Sequence, residues 1–212
     1  LEEVAREMVG VETVCLPMDL SDPASFTALE AKLAEEKPEV RLLINNAGCG
    51  YLGLLGETDT ALETRMVDLN VRALTAVTNL VIPFMAAGGH ILNVSSIASF
   101  CPNPRMTVYS ASKAYVSSFT VGLSEELRRK HISVTAVCPG PMRTEFLDVG
   151  NITGKSRTFE LLPYCEQVQV AGGALRAARA GRTIYTPKLF YKFYRCLAKI
   201  TPVKLMVKIT KT

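Results

Sequence analysis

A chain of 212 residues, 48% hydrophobic and with ordinary glycine and proline content, is long enough for one sizeable core and too apolar to be disordered. It has no run of 18 apolar residues, which excludes an obvious membrane-spanning helix. Its six scattered cysteines and two histidines form neither a zinc pattern nor a disulfide framework, so reduced thiols in the cytoplasm are expected. The net charge of +4 is unevenly spread: residues 188–212 hold six lysines, one arginine and no acid, a local +7 on a mildly acidic body.

In chain order, LEEVAREMVG (1–10) reads as the end of a helix leading into the strand VETVCL (11–16). DPASFTALEAKLAEEK (22–37) has helical spacing, with Ser21 or Asp22 as its cap. RLLI (41–44) reads as a buried strand, followed by the polar loop NNAGCG (45–50). A helical pattern covers 60–87, with Pro83 bending its last turns. HILNVS (90–95) is a strand, 106–130 a helix, ISVTAVC (132–138) a strand, 164–180 a helix and RTIYT (182–186) a strand. This alternation predicts an α/β fold, a doubly wound parallel sheet of the Rossmann-like kind, as one domain over 1–186. Residues 187–212 form a basic helical tail.

Such sheets bind ligands beyond the carboxyl ends of their strands. Three strand ends here carry small polar residues where backbone must approach a ligand: NNAGCG, SSIAS (95–99) and PGPMRT (139–144). Between them lies YSASK (109–113). Its tyrosine and lysine are one helical turn apart, so the ammonium is expected to lower the phenol's pKa. Ser96 lies 13 residues earlier at a strand end, and Asn70 sits mid-helix, where asparagine is a poor choice unless it has a task. A hydroxyl, a phenol and an ammonium in one crevice suit proton transfer to or from a carbonyl oxygen. His90, His131 and Cys49 are given no role.

With DL (19–20), NNAG (45–48), DLNVRA (68–73), SS (95–96), YSASK and PGPMRT in this order, the chain resembles a single-domain short-chain dehydrogenase/reductase. The resemblance implies that Tyr109 is the general acid/base and that Ser96 binds the substrate oxygen. It implies that Lys113 tunes the phenol and holds the nicotinamide ribose, while Asn70 completes a proton relay through water. It further implies adenine contacts from Asp19 and Leu20, ribose-side contacts from Asn45, Ala47 and Gly48, and nicotinamide-side contacts from Pro139, Gly140 and Thr144. The cofactor would be NADP(H) or NAD(H), with family habit favouring NADP(H). The substrate would be a small carbonyl/alcohol pair meeting Ser96, Ile97, Met142 and Phe146, with Phe100 and Leu147 nearby; these apolar side chains suit an apolar compound.

The family's first strand, its GxxxGxG turn and its second strand find no counterpart here. The sheet is therefore expected to lack its first βαβ unit and the chain to be a fragment of an active enzyme. The tail interleaves Leu189, Phe190, Phe193, Tyr194 and Leu197 with Lys192, Arg195 and Lys199. It could lie on an anionic membrane surface or cover the protein's own core or a second copy. Nucleic acid is not an expected partner; a homo-oligomer is. The alternative to an enzyme is a catalytically silent scaffold that binds a membrane or protein through this tail.

Overall fold

The computed structural model describes residues 2–210. Its centre is the pair of most deeply buried strands. The ten-residue β2 (Met85–Val94) and the five-residue β3 (Ser133–Val137) pair in parallel, with Ile91 opposite Val134. β1 (Val40–Asn45) flanks β2 and the two-residue β4 (Ile184–Tyr185) flanks β3, giving four parallel strands in the order β1-β2-β3-β4.

In chain order the helices are α1 (Glu2–Glu7), α2 (Ser25–Glu36), α3 (Thr60–Val67), α4 (Leu74–Val81), α5 (Thr107–Glu126), α6 (Glu145–Val149), α7 (Arg157–Leu161), α8 (Gln167–Arg179), α9 (Leu189–Ile200) and α10 (Val203–Ile209). Parallel strands need such crossovers, and the helices must cover both faces of the sheet. On one face Ile91 and Val134 pack with Leu123, Leu127 and Ile132 around the end of α5. On the other, Leu92 and Val137 pack with Val170, Ala174 and Ala178 of α8 and with Tyr191 of α9. Burying a side chain such as Ile91 or Val134 contributes about 1.5–3 kcal/mol, so these two clusters hold the layers together.

α5 carries the consequence for the site. Tyr109, Lys113, Val116, Thr120 and Leu123 recur every three or four residues and form its buried stripe. The packing that docks the lower half of the helix on the sheet therefore also turns Tyr109 and Lys113 inward.

Three expectations change. VETVCL (11–16) forms no strand and runs as exposed chain, with Val11 and Val14 more than half exposed. Among the described residues nothing pairs with the outer edge of β1, where Leu42 and Ile44 are also exposed. The helix expected over 60–87 ends earlier. Residues 82–84 tighten into a 3₁₀ turn with Pro83 inside it, and 85–89 join β2, Met85 pairing with Val40. Finally, RTIYT contributes only Ile184 and Tyr185 to the sheet.

Candidate active site

The site is assembled where β2 ends, α5 begins and the loop after β1 crosses between them. Ser96 is the second residue after β2. Its Oγ accepts the Ala98 N–H at 3.1 Å, starting the turn Ile97–Phe100 and leaving the hydroxyl proton free to donate. The neighbouring Ser95 is spent elsewhere: its Oγ donates to the Lys113 carbonyl at 2.8 Å and pairs with Ser117. This bonding separates the two adjacent serines in role.

Lys113 is buried, and its Nζ donates to the Val94 carbonyl at 2.9 Å. It lies 5.8 Å from the centre of the Tyr109 ring. An ammonium has three N–H donors, so one such bond leaves further donors for a ligand.

Asn70 sits in a π-helical segment, Asp68–Ala73, that joins α3 to α4; such bulges are frequent at functional sites. Its amide is engaged at both ends. Oδ1 accepts the Cys49 N–H at 2.9 Å, and Nδ2 donates to the Cys49 carbonyl at 2.8 Å and to Ser112 Oγ at 3.0 Å. The side chain thus ties the loop after β1 to α5. Gly48 is required at this tie: a Cβ there would stand 2.9 Å from Asn70 Oδ1 and 3.1 Å from Lys113 Nζ.

These groups open onto a cavity of about 760 Å³. Ser96, Tyr109 and Lys113 line it together with Gly48, Pro139, Gly140 and Thr144, and Ile97, Met142 and Phe146 supply apolar wall. Phe146 also lies against Tyr109, with ring centres 5.6 Å apart.

The electrostatics differ from the expectation that Lys113 acidifies the phenol. Burial pushes Tyr109 up to about 12, with the Ser96 hydroxyl acting in the opposite sense. Burial likewise pulls Lys113 down to about 8. Both shifts have one cause: a dry pocket disfavours whichever form is charged. Here the ammonium is bonded to a backbone carbonyl rather than to the phenol oxygen, and desolvation prevails. Tyr109 is therefore a protonated donor at neutral pH.

The remaining expected contacts lie outside the cavity. Asp19 is exposed, accepts the Ser21 N–H at 2.9 Å and the Ser21 hydroxyl at 2.6 Å, and pairs with Arg65 at 3.6 Å. The Ser21 bonds hold its carboxyl below the usual range. Leu20 is half-buried beside it, and Ala47 is exposed. The Asn45 amide donates to Thr78 Oγ1 and to Asn93 Oδ1, both at 2.8 Å, and so locks β1 to β2 and α4. It is the next residue, Asn46, that lines the cavity.

A family model described as short chain dehydrogenase matches residues 1–151. The chain belongs to the short-chain dehydrogenase family. An uncharacterized oxidoreductase of Staphylococcus saprophyticus is 34% identical to this short-chain dehydrogenase over 151 residues, 68% of this chain and 64% of that one. The chain spans between about half and two thirds of the length of the curated relatives it matches. Among solved structures, a short-chain dehydrogenase from Sphingobium yanoikuyae in complex with NADPH superposes with a TM-score of 0.77. It is 29% identical, over 94% of this chain and 80% of that one. The bulky-bulky ketone specific alcohol dehydrogenase from Comamonas testosteroni gives 0.71 at 27% identity, over 94% and 78%.

The part of this short-chain dehydrogenase that follows the matched residues closes the cavity. Phe190, Tyr191 and Tyr194 of α9 line it, as does Thr210 just after α10. Tyr191 is fully buried, and its hydroxyl donates to the Pro163 carbonyl at 2.8 Å. Its ring lies over Gly140, where a Cβ would come within 2.3 Å of the ring carbons. The amphipathic pattern of the tail was the available signal for these residues. What the pattern withheld was the surface its inner face would meet.

Proposed function

We propose that this protein is an NAD(P)-dependent oxidoreductase that interconverts an apolar carbonyl compound and its alcohol, with Tyr109 as general acid/base. The observation that carries the reading is the convergence of Ser96, Tyr109 and Lys113 on one largely apolar cavity.

A nicotinamide dinucleotide fits the residues present. Lys113 is buried with donors to spare, and it lines the cavity together with Gly48, Gly140 and Thr144. Lys113 would hold the ribose hydroxyls; Pro139, Gly140 and Thr144 would flank the nicotinamide. When bound, this group supplies or accepts the hydride at the carbonyl carbon. The protein's own part is to bind, orient and exchange a proton. The free proton of the Ser96 hydroxyl is donated to the substrate oxygen, fixing it beside the Tyr109 phenol. As negative charge grows on that oxygen during reduction, the phenol transfers its proton there. The neutral phenol favoured by burial is the form that reduction requires. Asn70 holds the loop and α5 in register.

NADP(H) is favoured over NAD(H), supported by the NADPH bound in the Sphingobium relative. All six cysteines are free thiols, which supports a reducing, cytoplasmic setting. Exposed Leu62, Val67 and Val121 on α3 and α5 support self-association.

The test is consumption of NADPH and NADH by the full-length protein across ketones of increasing bulk. Tyr109→Phe should lower kcat/KM by about 10²–10⁴ while leaving cofactor affinity unchanged. Undiminished turnover in Tyr109→Phe, or no turnover of any carbonyl by the unaltered protein, defeats the reading.

A further inference from the structure

The inner face of α9 is accounted for by the cavity; its outer face is not. Leu189, Phe193, Cys196 and Ile200 recur at spacings of four, three and four residues, which places them in one line along a helix. All four are exposed, with Leu189 at 80%, Phe193 at 69% and Ile200 at 81%. α10 continues the surface with exposed Val203 and Leu205. Lys192, Lys199 and Lys204 border this stripe and are exposed, and no acid occurs anywhere from 188 to 212. A stripe of large apolar side chains edged only by cations complements a surface that is apolar within and anionic outside. A second copy of the chain is the poorer occupant, because a two-fold pairing of tails would set one +7 segment against another.

From this juxtaposition we infer that α9 and α10 dock the protein on an anionic lipid surface, with the substrate cavity one helix thickness behind the contact. Phe190 marks the route: it lines the cavity and is half exposed, on the helix that presents the stripe. An α-helix with side chains is about 10 Å across, so a lipid-dissolved carbonyl or alcohol needs to travel only about that far to reach Tyr109. The docking stands on the tail alone. The substrate route rests on the oxidoreductase reading given above.

The experiment is co-sedimentation of the full-length protein with phosphatidylcholine vesicles, with and without phosphatidylglycerol, at low and high salt. The variants are Phe193→Glu with Ile200→Glu, and Lys192→Gln with Lys199→Gln. None of these four residues lines the cavity, so the circular dichroism spectrum and turnover of a water-soluble ketone should be unchanged in both variants. Binding should require phosphatidylglycerol, weaken in high salt, and fall roughly fivefold for each lysine neutralised. It should vanish in the glutamate variant. Equal binding to neutral vesicles, or binding indifferent to Phe193→Glu with Ile200→Glu, overturns the docking. So does a dimer in sedimentation velocity that the glutamate variant converts to monomer, since the stripe would then be covered by a second copy. Anionic vesicle binding by a protein that turns over no carbonyl keeps the docking and removes the substrate route. Turnover of a vesicle-dissolved ketone that drops along with binding in the glutamate variant supports both.

Discussion

The floor of the cavity carries Ser96, Tyr109 and Lys113 and lies within the family match of residues 1–151; its roof, from Phe190, Tyr191, Tyr194 and Thr210, lies beyond it. The floor side chains are held by short polar contacts to backbone: Ala98 N–H to Ser96, Lys113 to the Val94 carbonyl, Asn70 to both backbone groups of Cys49. The roof is mainly aromatic and is held largely by packing, anchored by hydrogen bonds from Tyr191 to Pro163 and between Thr210 and Cys101. Polar contacts fix a geometry to fractions of an ångström, as proton transfer needs, whereas apolar packing tolerates substitution when volume is kept. The part of the pocket within the family match is thus built for chemistry, and the part beyond it for shape.

The contrast can be tested from its strongest point downward. Tyr109→Phe removes only an oxygen, yet should cost about 10²–10⁴ in kcat/KM. Tyr194→Phe, an equal loss in the roof, should change the rate by less than about fivefold, both measured by NADPH consumption. Asn70→Ala strips partners from the Cys49 N–H, the Cys49 carbonyl and Ser112. It should destabilise the fold by about 2–4 kcal/mol, measured by urea denaturation. Gly140→Ala drives a methyl into the Tyr191 ring and should cost about 1–3 kcal/mol, but much less than that when made on a Tyr191→Leu background, because the nearest atoms it meets all belong to that ring.

The smallest effect is on pH dependence. Lys113 gives up its proton near pH 8 in the folded chain but keeps it to about 10.5 when unfolded. Between those values the unfolded state binds more protons, so this group makes stability rise with pH across that window. Tyr109 acts in the opposite sense, holding its proton to about 12 when folded against 10.0 when unfolded, and so lowers stability as pH climbs between the two. Lys113→Met should flatten the first slope in a series of urea midpoints from pH 7.5 to about 10. An unchanged slope would mean that the ammonium is better solvated than its burial implies.

Much of this was legible in the sequence because the decisive patterns are local. The periodicity of 107–126 gave α5 and put Tyr109 and Lys113 on one face, and the apolar runs gave β1, β2 and β3. VETVCL misled because β-branched residues describe a side-chain preference, while a strand also needs a neighbour to take its backbone bonds. Met85 to Ala87 misled in the opposite way: a helical pattern yields to strand when a partner such as Val40 stands across from it. Asn70 announced itself as a poor helix former, but the π-helical turn that aims it leaves no local signature. The pKa of Tyr109 was misjudged because spacing reports a nearby ammonium and says nothing of how dry the pocket is. Asn45 and Asn46 show the finest limit: adjacent identical residues take separate tasks, because one closes β1 and the other begins the loop at the cavity.

The bare backbone at Gly140 binds two distant stretches of the chain to a single steric choice. Anything larger than hydrogen there has to displace the Tyr191 ring. A lineage that enlarged residue 140 would have to move or replace the Tyr191 ring, so these two positions are expected to change together.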